Sequence, residues 1–161
     1  MMLEVGQIVP DFVVPATNNK NVHLRALRGY KVLLYFYPKN HTPACTIETQ
    51  NFGANYQRFR SQGILVFGVS RDDLASHEQF KRDQSLPFEL ISDSNEALCR
   101  MFGVLREKEM FGRRIHSLVR STFLIDEDGQ LIRAWRDVDA REHVHRLLDK
   151  LNASQGSLRT G

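Results

Sequence analysis

One cysteine in a particular setting is the part of this chain best suited to chemistry. Val32 to Tyr37 is an apolar run with strand character. It passes into the loop Pro38-Lys39-Asn40-His41-Thr42-Pro43-Ala44-Cys45. Thr42-Pro43 is a helix-start signal, because Pro suits the first helical position, where its missing N–H costs little. The spacing predicts Cys45 in the first turn of a helix. A thiol there faces unpaired backbone N–H groups and the positive end of the helix dipole, and both favour the thiolate. A thiolate is the form of cysteine that attacks electrophiles such as peroxides.

Peroxide reduction makes further demands. The thiolate attacks one oxygen, and the other leaves as water or alcohol. A site must bind the peroxide in line and stabilise charge on the leaving oxygen. Thr42, three residues before Cys45, can cap the helix, and its hydroxyl can reach the thiolate or a bound peroxide. Pro38 shapes the approach and shields one side of the pocket. Backbone N–H groups around Ala44 and Cys45 add donors. A cation is still wanted, and Arg serves best because it stays charged and offers a planar fork of donors.

The elements that must hold this loop can be read in outline. Gly6 to Val22 reads as an extended N-terminal segment, with Asn18-Asn19 as a hairpin tip, since Asn tolerates left-handed backbone. Leu24 to Gly29 reads as a short helical turn. Strand and helix then alternate: a strand over Lys31 to Tyr37, a helix over Cys45 to Arg60, and a buried strand over Ile64 to Val69. A helix over Leu74 to Gln84, a strand over Phe88 to Ile91 and a helix over Ser94 to Phe102, with Asp93 as N-cap, follow. Asp126-Glu127-Asp128-Gly129 between Ser121 to Ile125 and Leu131 to Trp135 predicts a hairpin. Arg141 to Leu151 has the spacing of an amphipathic helix. This order predicts an α/β sandwich of thioredoxin-like fold, a central mixed sheet flanked by helices with an N-terminal β extension. Residues 1–152 form one domain in this reading, and the small, polar tail 153–161 is expected to be disordered.

Composition excludes several classes. With 161 residues, 42% hydrophobic and 25% charged, the chain is that of a soluble globular domain. No apolar run reaches the roughly 20 residues of a membrane span. The N-terminus carries no signal-peptide pattern, so a cytoplasmic protein is expected. The net charge is only +3, and the basic clusters form no nucleic-acid reading motif. The two cysteines, Cys45 and Cys99, make no CxxC and no zinc spacing. His143 and His145 lie two apart on a helix and face different ways, so they are no metal pair. No metal or organic cofactor is implied.

Pro38-x-x-x-Thr42-x-x-Cys45 resembles the active-site signature of the peroxiredoxins. The wider Tyr35-Phe36-Tyr37-Pro38-Lys39-x-x-Thr42-Pro43-x-Cys45-Thr46-x-Glu48 is similar to the bacterioferritin comigratory protein group, the PrxQ type of AhpC/TSA-like proteins. The likeness continues in Gly6-Gln7-Ile8-Val9-Pro10-Asp11-Phe12, Leu90-Ile91-Ser92-Asp93 and Arg120-Ser121-Thr122-Phe123-Leu124-Ile125-Asp126. It implies a thiol-dependent peroxidase acting on hydrogen peroxide and organic hydroperoxides. Cys45 would be the peroxidatic cysteine, Thr42 and Arg120 its polar partners, Pro38 the shielding proline, and Glu48 a residue that orients nearby arginines. Thioredoxin, glutaredoxin or glutathione would be the reductant, and a monomer is the expected form.

One departure bears on mechanism. Many members of the group carry a resolving cysteine five residues after the peroxidatic one, and here that residue is Gln50. Others carry it in the following helix, where this chain has none. A one-cysteine mechanism with an external thiol is therefore expected. The alternative makes Cys99 an atypical resolving residue; the plainer view has Cys99 as a buried structural thiol. A dithiol oxidoreductase would need a cysteine at position 48, where Glu48 stands. A non-catalytic binding or chaperone-like module on the same fold is the alternative of another class.

Overall fold

The structure, a computed structural model, describes residues 2–160, with side chains described from 2 to 153. The chain opens on a hairpin, β1 (Val13–Ala16) and β2 (Lys20–His23), followed by a 3-10 turn over Leu24–Leu27. Asn18 and Asn19 at its tip have φ of 62° and 54°, the left-handed backbone that Asn tolerates. Next come β3 (Lys31–Phe36), α1 (Pro43–Ala54), α2 (Tyr56–Arg60) and β4 (Ile64–Ser70). Then follow α3 (Leu74–Gln84), β5 (Leu90–Ser92) and α4 (Ala97–Met101). A hairpin of β6 (Leu105–Met110) and β7 (Arg113–Leu118) precedes β8 (Ser121–Ile125), β9 (Leu131–Arg136) and α5 (His143–Thr160). The backbone of α5 runs on past Leu151, where the apolar spacing ends; residues 154–161 of the expected tail lie outside those whose side chains are described.

Seven strands form one sheet in the order β2-β1-β5-β4-β3-β8-β9. β3, β4 and β5 run parallel, whereas β8 pairs antiparallel with β3. The N-terminal hairpin joins through a short antiparallel contact, Ala16 opposite Ile91. Period-two alternation along β3 sends successive side chains into two separate cores. Leu33, Tyr35 and Tyr37 enter the core made with α1, α2, α3 and α5. Val32, Leu34 and Phe36 enter the opposite core, with α4 and the N-terminal segment. The continuous apolar run of β3 follows from this double burial.

Two expected helices need correction. The helix expected over 45–60 is two helices broken at Asn55, whose amide side chain donates to the Asn51 carbonyl at 2.8 Å and so satisfies the end of α1. α4 is shorter than expected, because Glu96 sits at its N-cap position with φ of 63°. Asp93 still caps it from a distance, accepting from the Leu98 and Cys99 amides at 2.9 and 2.8 Å. The β6–β7 hairpin has no counterpart in the sequence reading.

Gly68 of β4 lies opposite Tyr35 of β3, and the Tyr35 ring stacks on Phe52 of α1 at 4.2 Å. A Cβ at Gly68 would come within 2.7 Å of both the Tyr35 hydroxyl and Leu90 Cδ2. Gly68 therefore gives the room in which Tyr35 supports α1. Gly68→Ala is expected to cost about 1–3 kcal/mol by overpacking, read as a lowered midpoint of urea denaturation.

Candidate active site

Thr42 takes the N-cap position of α1 with extended backbone, φ −90° and ψ 150°, and Pro43 follows inside the first turn. The first helical bond runs from the Thr46 amide to the Thr42 carbonyl at 2.9 Å. Cys45 thus sits in the first turn, as its spacing predicted. Its residue exposure is 1%, so Cys45 is buried.

The cation comes from 75 residues further along the chain. Arg120 immediately precedes β8, and β8 is the neighbour of β3, whose end leads into the Cys45 loop. Its Nη2 donates to Cys45 Sγ at 3.2 Å. Its Nη1 donates to Glu48 Oε1 at 2.8 Å. Glu48 lies one turn after Cys45 on α1 and is fully buried, while the Arg120 side chain is 13% exposed. Burial pulls the Arg120 pKa down, but the charges of Glu48 and Cys45 more than offset it, and the guanidinium stays charged. Burial pushes the Glu48 carboxyl up to about 7, against the pull of Arg120. Its second oxygen, Oε2, has no hydrogen-bond partner among the described residues.

The other expected residues are placed less directly. The Thr42 hydroxyl donates to the Lys39 carbonyl at 2.9 Å and makes no helix-capping bond, which corrects the expected side-chain cap. Its lone pairs remain able to accept. Pro38 is exposed at the bend after β3. Cys99 is fully buried in the core on the opposite face of the sheet from Cys45. Burial, then the hydrogen bond and charge of Asp93, push its thiol up, so it stays protonated.

Sequence reasoning did not find two polar groups behind this site. Asn40 pins the loop: its amide donates to Asp72 Oδ2 at 2.9 Å, and its Oδ1 accepts from the Tyr37 hydroxyl at 2.6 Å. Its Nδ2 donates to Ser76 Oγ and to Nδ1 of the buried His77, both at 3.1 Å. His143 is the second group. Its Nε2 pairs with the Thr122 hydroxyl at 2.7 Å, and its ring lies edge-on to Phe52 and Trp135. Burial and then the Arg120 charge push His143 down to about 4. A histidine on an apolar helix spacing carries no sequence signal for such a contact. Among the described residues no group of three or more His, Cys, Asp or Glu is arranged to hold a metal ion.

A buried thiol at a helix N-terminus, bonded to an arginine that a buried glutamate holds, is an arrangement that stabilises negative charge on sulfur and on an oxygen beside it. The AhpC/TSA family profile matches residues 5–134. The chain belongs to the AhpC/TSA family. The Bcp peroxiredoxin of Xanthomonas campestris is 40% identical over 152 residues, covering 94% of this chain and 95% of that one. The Bcp peroxiredoxin of Bacillus subtilis is 38% identical over 151 residues, covering 94% and 96%. Among solved structures, X. campestris bacterioferritin comigratory protein, described as having alkyl peroxide reduction activity, superposes with a TM-score of 0.84 at 39% identity, covering 89% of this chain and 91% of that one. A cysteine-to-serine variant of Xylella fastidiosa PrxQ superposes with a TM-score of 0.89 at 31% identity, covering 96% and 99%. This peroxiredoxin therefore has the thioredoxin-like fold and is an oxidoreductase of the peroxidase class.

Two outcomes follow for this peroxiredoxin. Arg120→Ala is expected to slow peroxide attack by about 10²–10³-fold, the usual cost of losing one donor to developing negative charge. Arg120→Lys, which keeps the charge without the fork, should fall between; stopped-flow peroxide consumption at fixed pH measures both, and an unchanged rate in Arg120→Ala would remove it from the site. The second concerns acid. The pKa of His143 is depressed in the folded state, so the unfolded chain binds its proton first. The contribution of His143 to stability is complete above the ordinary value of 6.5 and falls as pH drops toward about 4, by on the order of 3 kcal/mol, while the raised Glu48 carboxyl contributes with the opposite sign over that range. The measurable quantity is therefore the difference between the two proteins: as pH drops across that window, the urea midpoint of His143→Gln should gain on that of the wild type.

Proposed function

We propose that this peroxiredoxin reduces hydrogen peroxide and organic hydroperoxides through the Cys45 thiolate and is regenerated by an external thiol. The single observation that carries this is the Arg120 fork, one arm on Cys45 Sγ and the other on Glu48. The sulfur lone pair attacks the terminal peroxide oxygen along the O–O axis. The O–O bond breaks, and the leaving oxygen takes the bonding pair and a proton, giving water or alcohol. Cys45 becomes sulfenic acid. Arg120 and the first-turn backbone N–H groups oppose the negative charge as it moves from sulfur to the leaving oxygen. The free lone pairs of Thr42 suit it to accept from the peroxide O–H, and exposed Pro38 flanks the approach. The alkyl peroxide reduction described for the X. campestris relative supports the inclusion of organic hydroperoxides.

Return to the thiol requires a second sulfur. An external thiolate attacks the sulfenic sulfur, water leaves, and a further thiol releases the mixed disulfide. Thioredoxin, glutaredoxin and glutathione are the reductants proposed. Gln50 is bonded to Gln84 of α3 at 2.8 Å, so an amide pair stands where a resolving thiol would be expected. Cys99 as resolving residue is disfavoured, because β3 lies between the two thiols and a disulfide needs Cα atoms within roughly 7 Å. No helix among the described residues is long and apolar enough to cross a membrane. We infer a monomer of the cytoplasm, whose thiol pools would supply the reductant.

The test is intact-mass analysis after one equivalent of hydrogen peroxide with a sulfenic-acid trap, on the wild type, Cys99→Ser and Cys45→Ser. The expected result is a trapped adduct on Cys45 in the first two and none in the third. A wild type that instead loses two hydrogens, with the adduct appearing only in Cys99→Ser, would make Cys99 the resolving residue. A Cys45 that stays a thiol under excess peroxide would favour the non-catalytic binding module.

A further inference from the structure

Arg120 stands between two acids. It donates to Cys45 Sγ at 3.2 Å and to Glu48 Oε1 at 2.8 Å, and both acceptors are buried. A single positive charge cannot neutralise two negative ones, and burial makes the remaining charge costly. Glu48 Oε2 is buried and has no hydrogen-bond partner among the described residues. A proton can therefore sit on Oε2 while Oε1 continues to accept from Arg120, with no existing hydrogen bond lost.

We propose that Glu48 is a proton reservoir linked to the oxidation state of Cys45, protonated while the sulfur is a thiolate and ionised once the sulfur is sulfenic acid. The inference rests on the peroxidase reading and extends it. In the thiolate state Arg120 balances the sulfur, and Glu48 is the less costly acid to neutralise. On oxidation the sulfur becomes neutral, Arg120 is left to Glu48 alone, and the carboxyl loses its proton. The net step is thiolate plus hydroperoxide plus Glu48 carboxylic acid giving sulfenic acid, alcohol and Glu48 carboxylate. The two electrons lost by sulfur reduce the O–O bond, and the proton gained by the leaving oxygen is balanced by the one that Glu48 gives up. Glu48 acts through Arg120 and is a positioning residue in this scheme.

The surrounding charges keep the linkage within these three groups. Tyr35 of β3 faces Glu48 and Cys45, and burial raises its hydroxyl well above its ordinary value. His143 of α5, behind Arg120, is pushed down to about 4 by burial and Arg120. Neither changes charge between pH 6 and 8.5. Glu48 itself is pushed up by burial to about 7.

The test counts protons. Reduced protein is mixed with one equivalent of hydrogen peroxide in weak buffer with a pH indicator, and proton uptake per peroxide is followed by stopped flow from pH 6 to 8.5. The variant is Glu48→Gln, whose amide oxygen can still accept from Arg120. The wild type is expected to take up less than the variant in a window just above pH 7, by about half a proton for a one-unit shift between the two states. The two should converge at higher pH. Equal uptake at every pH, with Cys45 sulfenic acid trapped in both proteins, overturns the reservoir and leaves the peroxidase reading intact. Absence of any trapped sulfenic acid overturns that reading instead. Should the variant not fold, the wild type alone decides: a dip in uptake that recovers at higher pH supports the reservoir, and a flat profile overturns it.

Discussion

The structure depends on keeping three ionisable groups together out of water. Cys45, Glu48 and Arg120 are all largely buried, and each would be costly there alone. Two come from one helix turn and need only α1 to bring them together. The third must be delivered from a distant part of the chain, and the sheet order does this. Because β8 is antiparallel to β3 and beside it, the residue entering β8 lies at the end where β3 exits into α1. The mixed sheet is thus the device that converts a separation of 75 residues into a 3.2 Å contact.

The same sheet keeps the two thiols apart in space and in chemistry. Side chains of β3 alternate between cores, and the cysteines fall on opposite sides of it. Cys45 meets a helix N-terminus and a guanidinium. Cys99 meets apolar side chains and the carboxylate of Asp93, which caps α4; burial first, and then Asp93, hold the thiol in its protonated form. Two residues of one type so receive different electrostatic settings, and the proposed nucleophile is the one that meets the guanidinium.

Much of this was legible in the sequence because it rests on local signals. The apolar run of β3, Thr42-Pro43 before Cys45, and Asn18-Asn19 in a turn are each decided within a few residues. The β6–β7 hairpin was not legible, because its strands, apart from Leu118, are exposed or only half-buried and carry no alternating apolar pattern. Phe111-Gly112 at its tip, with charged pairs such as Glu107 and Arg114 across it, was the available signal. Arg120 could be named only from family likeness, since nothing in its neighbours' types points to a thiol. The pinning of Asn40 by His77, and the burial of His143, were hidden for the same reason: a buried polar group is explained by partners distant in sequence.

The join between α1 and α3 carries a last consequence. Gln50 bonds Gln84, His41 bonds Asp83 at 3.1 Å, and Asn40 bonds Ser76 and His77. These contacts line the seam across which an internal resolving thiol would have to act. A disulfide there would require the seam to open, since Cys45 is buried and these bonds hold the loop that precedes it. Hydrogen bonds in place of a thiol make the closed arrangement the low-energy one and remove the internal reaction that would reward its opening. Under the proposed mechanism the sulfenic acid then forms inside a folded pocket, and the burden of reaching it passes to the external thiol. Access to Cys45 then joins its reactivity as a property that this chain's own residues govern.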